Sequence, residues 1–299
     1  MKADHSLLEK FGNTPLVPIR NIGRDYPNVP IFAKAEWFNP SGSVKDRAAS
    51  RIVMDAINSG RLKPGSVLLD SSSGNTGISY AMLGAMLDFR VRLVLPANVS
   101  PERKAILQAY GCEVVISDAL EGSEGSRRLA KKLSAEDPSL VFVDQYENNY
   151  NVLAHYEGTG PEIWEQTEHK VTHFIAGAGT GGTITGVSKF LKEVNPDIRT
   201  YSVQPDDEMH GLEGLKHMET AHIPGIYDES SFDDILEVDT ERAYEMVRRL
   251  GREEGYFVGF SSGAAMVAAL DLAATLKEGV IVTIFCDTGA KYLSSHVWD

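Results

Sequence analysis

The chain has 299 residues, of which 42% are hydrophobic, so it is long enough to bury one large core or two moderate ones. Its 42 acidic and 29 basic side chains give a net charge of −13, which argues against binding to nucleic acid or to an anionic membrane. Two cysteines provide no disulfide framework, and no segment reads as a signal peptide or a transmembrane helix. We therefore expect a soluble protein of the reducing cytoplasm.

The first half of the chain alternates between short apolar runs and helical patterns. Strands are predicted at residues 31–37, 66–70, 91–95, 113–116 and 140–143, and helices at 44–58, 78–87, 101–110 and 122–133. This alternation is typical of β-α-β units, in which helices cover both faces of a parallel sheet.

The second half repeats the pattern around one long segment without periodicity. Helices are predicted at residues 151–167, 183–194, 240–254 and 262–276, and strands at 172–176, 200–203 and 280–285. Residues 204–234, which we call the irregular segment, have the length of a functional or mobile loop. The pattern predicts two α/β domains, one centred on residues 41–150, with ligands bound by the loops that follow the strands.

Lys45 lies in a segment, Asn39 to Arg47, that joins the first of these strands to its helix. Ser43 is predicted to be the helix N-cap, which places Lys45 in the first turn. There the helix dipole disfavours a cation and lowers the lysine pKa. A partly neutral lysine is what an imine-forming nucleophile requires, whereas a solvated lysine balanced by Asp46 is the simpler interpretation of this segment alone.

Two further loops each follow a predicted strand and open a helix. Ser72 to Thr76, which we call the serine loop, offers hydroxyl and backbone N–H donors for a carboxylate or phosphate, or forms an ordinary capped turn. Gly177 to Gly182, the glycine loop, suits a phosphate and also satisfies the spacing G-x-G-x-x-G. A dinucleotide site with Asp206 as the ribose-binding acid therefore stays an alternative, as does close helix–strand packing.

Other polar residues favour structural roles when each is taken separately. Cys286 has no histidine nearby in sequence to activate it, so we interpret it as a small buried residue rather than a nucleophile. His210, His217 and His222 match no familiar metal motif and are interpreted as solvated side chains, so no metal site is predicted.

Taken together, the segments resemble the cysteine synthase family of pyridoxal-phosphate enzymes, which includes O-acetylserine sulfhydrylases and the catalytic core of cystathionine β-synthases. The matching segments occur in the family's order over nearly the whole chain: residues 13–16, 39–47, 73–77, 179–183, 261–263 and 292–294. The resemblance implies fold type II, the tryptophan synthase β-like architecture. A smaller mobile domain of residues 41–150 would face a larger domain of residues 1–40 plus 151–299 that binds the cofactor phosphate.

The resemblance also implies a role for each matching residue. Lys45 corresponds to the catalytic lysine that carries pyridoxal 5′-phosphate, Asn75 to the residue beside its ring oxygen, and Ser261 to the hydroxyl facing its pyridine nitrogen. The cofactor phosphate would be held by Gly179, Thr180, Gly181, Gly182 and Thr183. The substrate carboxylate would be bound by Ser72, Ser73, Thr76 and Gln145.

The late part of the chain departs from many sulfide-using relatives. The irregular segment lacks their glycine-rich run and carries one basic residue other than histidine, Lys216, which is expected to bind an anionic substrate. This resembles the B-type branch, which accepts O-phosphoserine or thiosulfate. The chain ends at Asp299 without an appended regulatory domain, which we expect to disfavour a complete cystathionine β-synthase.

The leading hypothesis is a cytoplasmic, homodimeric cysteine synthase, a pyridoxal-phosphate-dependent transferase acting by β-replacement. It would convert O-acetylserine or O-phosphoserine, with sulfide, thiosulfate or another sulfur donor, to L-cysteine or S-sulfocysteine. A cystathionine or cyanoalanine synthase is the close alternative. A nicotinamide-dependent oxidoreductase rests on the glycine loop alone, and a non-catalytic scaffold or sensor is disfavoured by the intact Lys45.

Overall fold

The computed structural model describes residues 7–72, 74–97, 99–118 and 121–299. The strands within these ranges are β1 (Leu16–Ile19), β2 (Ile31–Ala35), β3 (Val67–Ser71), β4 (Arg90–Pro96), β5 (Glu113–Ser117), β6 (Leu140–Phe142), β7 (His173–Gly177), β8 (Arg199–Pro205), β9 (Asp234–Val238) and β10 (Ile281–Phe285). The α-helices are α1 (Lys45–Asn58), α2 (Asn75–Leu87), α3 (Pro101–Ala109), α4 (Gly122–Glu136), α5 (Asn149–Ala154), α6 (Gly160–Gln166), α7 (Gly182–Val194), α8 (Thr240–Arg249) and α9 (Phe260–Ala273).

The strands form two separate sheets. One has six strands in the order β1-β2-β10-β7-β8-β9, and the other has four in the order β5-β4-β3-β6. Every pairing in them is parallel except that of β1 with β2, which is antiparallel. The predicted α/β fold with mostly parallel sheets is therefore confirmed.

Both sheets are covered on both faces, as the apolar strands require. In β10, Ile281 and Phe285 belong to one core cluster, whereas Val282 and Ile284 belong to another on the opposite face. In β3, Leu68 packs in one cluster while Val67 and Leu69 pack in a second. This separation follows from the two-residue period of a strand, whose side chains point alternately to opposite faces.

The loops predicted to bind ligands follow β3 and β7, and the Cys286–Asp287 turn follows β10. The start of α1 is joined to that turn, because the Val44 N–H donates to the Cys286 carbonyl at 2.8 Å. β3 lies in the four-stranded sheet, and β7 and β10 lie in the six-stranded sheet, each paired in parallel with its neighbours. The loops after them therefore emerge from the carboxyl edges of the sheets, where α/β proteins bind ligands.

Several local expectations differ from the structure. The N-cap predicted at Ser43 is wrong: Val44 precedes the helix with helical backbone angles, and the buried Ser43 hydroxyl has no hydrogen-bond partner among the described residues. The predicted helix at 151–167 is interrupted by a π-helical turn, His155–Thr159, and β1 and β9 were not predicted. In the described part of the chain, no helix has both the length and the apolar character needed to cross a bilayer.

Candidate active site

Lys45 is the first residue of α1 and is held there by its neighbours. The Arg47 guanidinium donates to Glu36 and to Glu162, in each case at 2.7 Å, which joins α1 to the segment after β2 and to α6. Asp46 accepts hydrogen bonds from Ser79 of α2 at 2.5 Å and from the Ser41 backbone at 2.6 Å. The helix turn that presents Lys45 is therefore fixed on both sides.

The Lys45 amine lies in a desolvated position. Burial lowers the pKa of Lys45 from its ordinary value. The neighbouring Cys286 and Asp287 act in the opposite direction, but the effect of burial is larger. Burial disfavours the charged ammonium because the low-dielectric surroundings replace its hydration shell. The predicted partly neutral lysine is consistent with this position.

A cavity of about 230 Å³ opens beside Lys45. Its wall includes predicted residues from five parts of the sequence: Lys45, Ser72, Asn75, Thr76, Gln145, Gly179, Thr180 and Lys216. A smaller cavity of about 40 Å³ is lined by Lys45, Asn75, Gly179, Thr183 and Ser261. The structure thus brings the predicted residues to one place, with Gly181 and Gly182 inside the loop between them; Ser73 lies outside the described residues.

The glycine loop has the close packing and backbone geometry of an anion site. A Cβ at Gly179 would lie 2.2 Å from the Gly214 carbonyl oxygen, and one at Gly182 would lie 2.1 Å from Asn151 Oδ1. Gly181 has φ +86°, a left-handed conformation that glycine adopts readily. Because α7 begins at Gly182, its first backbone N–H groups are available to an anion at the helix N-terminus.

The serine loop is connected to Gln145 by side-chain hydrogen bonds. The Thr76 hydroxyl donates to Gln145 Oε1 at 2.7 Å, and Gln145 Nε2 donates to the Ser71 carbonyl at 3.1 Å. Asn151 Nδ2 then donates to both the Gln145 carbonyl and Thr180 Oγ1, at 3.0 and 3.1 Å. One network therefore links the predicted carboxylate-binding residues to the glycine loop.

Asn75 is held by residues that the sequence motifs do not include. Its Nδ2 donates to Asp287 Oδ2 at 2.7 Å, while Lys291 Nζ donates to Asn75 Oδ1, also at 2.7 Å. Tyr292 donates its hydroxyl to the same Asp287 oxygen at 2.7 Å. Because the carboxylate only accepts and the ammonium only donates, the two groups fix the orientation of the Asn75 amide.

Lys216 reaches the cavity from the irregular segment. Its ammonium donates to the His222 carbonyl at 3.2 Å, lies 3.7 Å from the Glu124 carboxylate and stands 4.7 Å from the centre of the Tyr146 ring. Burial lowers the pKa of Lys216, and Glu124 opposes the shift. The predicted anion-binding lysine therefore lies at the site, although protein groups already surround it.

Comparison with known proteins identifies the family. A family model described as "Pyridoxal-phosphate dependent enzyme" matches residues 7–287. The chain belongs to this family. It is 48% identical to a "Cysteine synthase" of Aquifex aeolicus (strain VF5), over 99% of this chain and 93% of that protein. It is 41% identical to "Cysteine synthase B" of Escherichia coli (strain K12), over 98% of this chain and 96% of that protein.

A solved structure supports the same assignment. The crystal structure of cysteine synthase (OASS) from Entamoeba histolytica superposes with a TM-score of 0.93 and 34% identity, covering 99% of this chain and 91% of that one. The resemblance inferred from the motifs is confirmed. The chain is therefore an enzyme whose cofactor is pyridoxal phosphate. This excludes the two alternatives, a nicotinamide-dependent oxidoreductase and a non-catalytic scaffold.

The residues of the site fit this cofactor. The glycine loop admits no side chain at Gly179 or Gly182 and ends at a helix N-terminus, as a phosphate site requires. Lys45 supplies a desolvated primary amine in the same cavity as Ser261. Burial raises the pKa of Cys286 to about 11, so its thiol stays protonated at neutral pH. This agrees with the interpretation of Cys286 as a packing residue rather than a nucleophile.

Proposed function

We propose that the protein is a cysteine synthase that replaces the β-substituent of an O-activated L-serine with a sulfur nucleophile. The observation that carries the proposal is the position of Lys45 in one cavity with the glycine loop and with the Thr76–Gln145 pair. The two curated relatives described above, each matching nearly the whole chain, bear names that agree with this activity. Bound pyridoxal phosphate would supply an electron sink for negative charge developing at the substrate Cα.

The chain's own residues would hold the cofactor at four points. Lys45 would bind it covalently, and Gly179 to Thr183 would receive its phosphate. Asn75, whose amide is fixed by Asp287 and Lys291, keeps one Nδ2 hydrogen for the ring oxygen. Ser261 would face the pyridine nitrogen with a neutral hydroxyl, which stabilises a pyridinium less than a carboxylate would and so favours rapid loss of the β-substituent over transamination.

Lys45 would also move the proton that the reaction requires. The Lys45 Nζ, when it is not bound covalently, would accept the Cα proton of the substrate. A lysine with a lowered pKa is suited to this role, because a larger fraction of it is neutral at physiological pH.

The serine loop and Gln145 would bind the substrate carboxylate. Ser72, Thr76 and Gln145 all line the larger cavity, and the Thr76–Gln145 hydrogen bond holds two polar groups side by side at its wall. Ser73 is proposed for the same role from the motif alone. Orienting the carboxylate in this way fixes the Cα–H bond relative to Lys45.

Replacing Thr76 with valine, which keeps the shape and removes the hydroxyl, should lower kcat/KM for O-acetylserine. In the substrate complex the single Thr76 hydroxyl proton would turn from Gln145 Oε1 to the substrate carboxylate. A hydrogen bond to a charged group contributes about 1.5–3 kcal/mol, so a loss of about 10- to 150-fold is expected in steady-state assays. Thr283→Val is the matched control, because Thr283 is equally buried but donates to the Ile175 carbonyl within the six-stranded sheet. Equal losses in both variants would make Thr76 a structural residue only.

We further propose that residues 41–150 form the smaller domain, which moves against residues 1–40 plus 151–299 when substrate binds. The four-stranded sheet lies within the first range and the six-stranded sheet within the second, which supports this division. A cytoplasmic homodimer is proposed from the family resemblance and the acidic composition, and sedimentation of the purified protein tests the dimer.

The activity is tested by incubating the cofactor-loaded protein with O-acetylserine or O-phosphoserine and with sulfide or thiosulfate. We expect L-cysteine from sulfide and S-sulfocysteine from thiosulfate, measured by mass spectrometry. Homocysteine and cyanide complete the panel of nucleophiles. Product from one of these alone would replace the proposal with a cystathionine or cyanoalanine synthase, and the absence of any product would contradict the proposed function.

A further inference from the structure

Arg103 of α3 lies in the wall of the larger cavity although no motif includes it. Its side chain is only 7% exposed. Its Nη1 forms an ion pair with Glu213, and its guanidinium carbon lies 5.0 Å from the centre of the Tyr292 ring. Within the described residues, its buried Nε has no hydrogen-bond partner.

This arrangement leaves much of the donor capacity of Arg103 unused. A guanidinium has five N–H donors in a planar fork. Among the described residues, Glu213 is the one carboxylate that accepts a hydrogen bond from it, whereas Asp287 acts on it only through its charge. Leaving a buried donor without a partner costs free energy, and a bidentate oxyanion is the ligand that matches this fork. The site therefore favours a tetrahedral or planar oxyanion next to Arg103.

Lys216 is less well placed for the same ligand. Its ammonium already contacts the His222 carbonyl, Glu124 and the Tyr146 ring. A lysine also binds an oxyanion as a point charge rather than as a two-donor fork. Arg103 therefore has more N–H donors left for an anion than Lys216 has.

Glu213 has the position expected of a replaceable partner. It belongs to the irregular segment, its side chain is 48% exposed, and it precedes Gly214, which has φ +92°. A half-exposed carboxylate can leave the ion pair at low cost because water solvates it outside the cavity. An incoming anion can then take its place on the buried guanidinium.

We propose that Arg103 is a specificity-determining residue that binds the oxyanion of an anionic substrate, and that Glu213 is its counter-ion when no such anion is present. The inference rests on the proposed β-replacement. The oxyanion has two possible sources with the same chemistry: the phosphate of O-phosphoserine, which leaves from Cβ, and thiosulfate, which adds to it.

Kinetic comparison of three substrate pairs separates these sources. The pairs are O-phosphoserine with sulfide, O-acetylserine with thiosulfate, and O-acetylserine with sulfide as the reference. Arg103→Met should lower the ratio of kcat/KM for the anionic pair to that for the reference by about 10- to 150-fold, the range for a charged hydrogen bond. Glu213→Gln should raise the same ratio, because it removes the competing carboxylate.

The pair that responds identifies the source of the anion. Arg61→Met is the matched control, since it removes an arginine from an exposed ion pair with Asp55, and it should leave the ratios unchanged. Arg103→Lys keeps the charge without the fork and should recover only part of the selectivity, which also guards against misfolding of the methionine variant.

Direct binding gives a readout that does not depend on turnover. Titration calorimetry of the cofactor-loaded protein with sodium phosphate or sodium thiosulfate should show tighter binding in Glu213→Gln than in the wild type, and weaker binding in Arg103→Met. Cysteine formation with unchanged ratios and unchanged anion binding would overturn the role of Arg103 and leave the proposed function intact. Arg103-dependent anion binding without any cysteine formation would support the anion site and reject the β-replacement.

Discussion

Replacing Lys45 with alanine is expected to lower kcat/KM for O-acetylserine by about 10²- to 10⁴-fold, the usual contribution of a positioned acid–base group. If Lys45 has the proposed roles, the variant would lose both the covalent attachment of the cofactor and the amine that accepts the Cα proton. Steady-state assays give the loss in rate, and the visible absorption spectrum of the purified protein gives the loss of the bound cofactor signal.

Lys63→Ala is a suitable control, because Lys63 is an exposed lysine in the turn before β3. It should keep the spectrum and the activity of the wild-type protein. A Lys45→Ala protein that retained both would show that another amine does the work assigned to Lys45.

The glycine loop should also be intolerant of a side chain at Gly179, where it lies against main-chain atoms. Alanine at position 179 would place its Cβ 2.2 Å from the Gly214 carbonyl oxygen, a main-chain atom that cannot rotate away. The loop must then shift, and a misplacement of about 1 Å commonly costs about 10²-fold in function. We expect a loss of that order in pyridoxal-phosphate affinity, measured by titrating the cofactor-free protein and following its absorbance.

Gly251→Ala provides the comparison for this loss. Apart from its chain neighbours and its own helix backbone, no described residue has an atom within 4 Å of the position that a Cβ would take there, and Gly251 has no positive φ angle. Its cofactor affinity should match that of the wild type. Normal affinity in the Gly179 variant would mean that the phosphate binds elsewhere.

The sequence predicted the described strands except β1 and β9, the two edge strands of the six-stranded sheet. Every residue of β3 and β10 is buried, and both appear in the sequence as short, mainly apolar runs between turns. β1 has only four residues and contains Pro18, and β9 carries the exposed acids Asp234 and Glu237. The proline interrupts the first pattern and the acids interrupt the second, so neither pattern distinguishes a strand from a loop.

The site was predictable where its residues form local motifs. Lys45, the glycine loop and the serine loop each show a recognisable pattern within a few residues, and the fold brings them together. Arg103 and Lys291 were missed because their partners are distant: Arg103 binds a residue 110 positions away, and Lys291 binds one 216 positions away. A single sequence carries no signal for such pairs.

We propose that Lys45 carries the cofactor, and reduction of the bound cofactor onto its lysine tests this directly. The cofactor-loaded protein is reduced with borohydride, digested and analysed by mass spectrometry, so that the modified lysine is identified by its peptide. We predict the added mass on the peptide containing Lys45. The proposed role of Lys45 would be contradicted if another lysine near the site carried the added mass, such as Lys291 or Lys216, or if no lysine carried it.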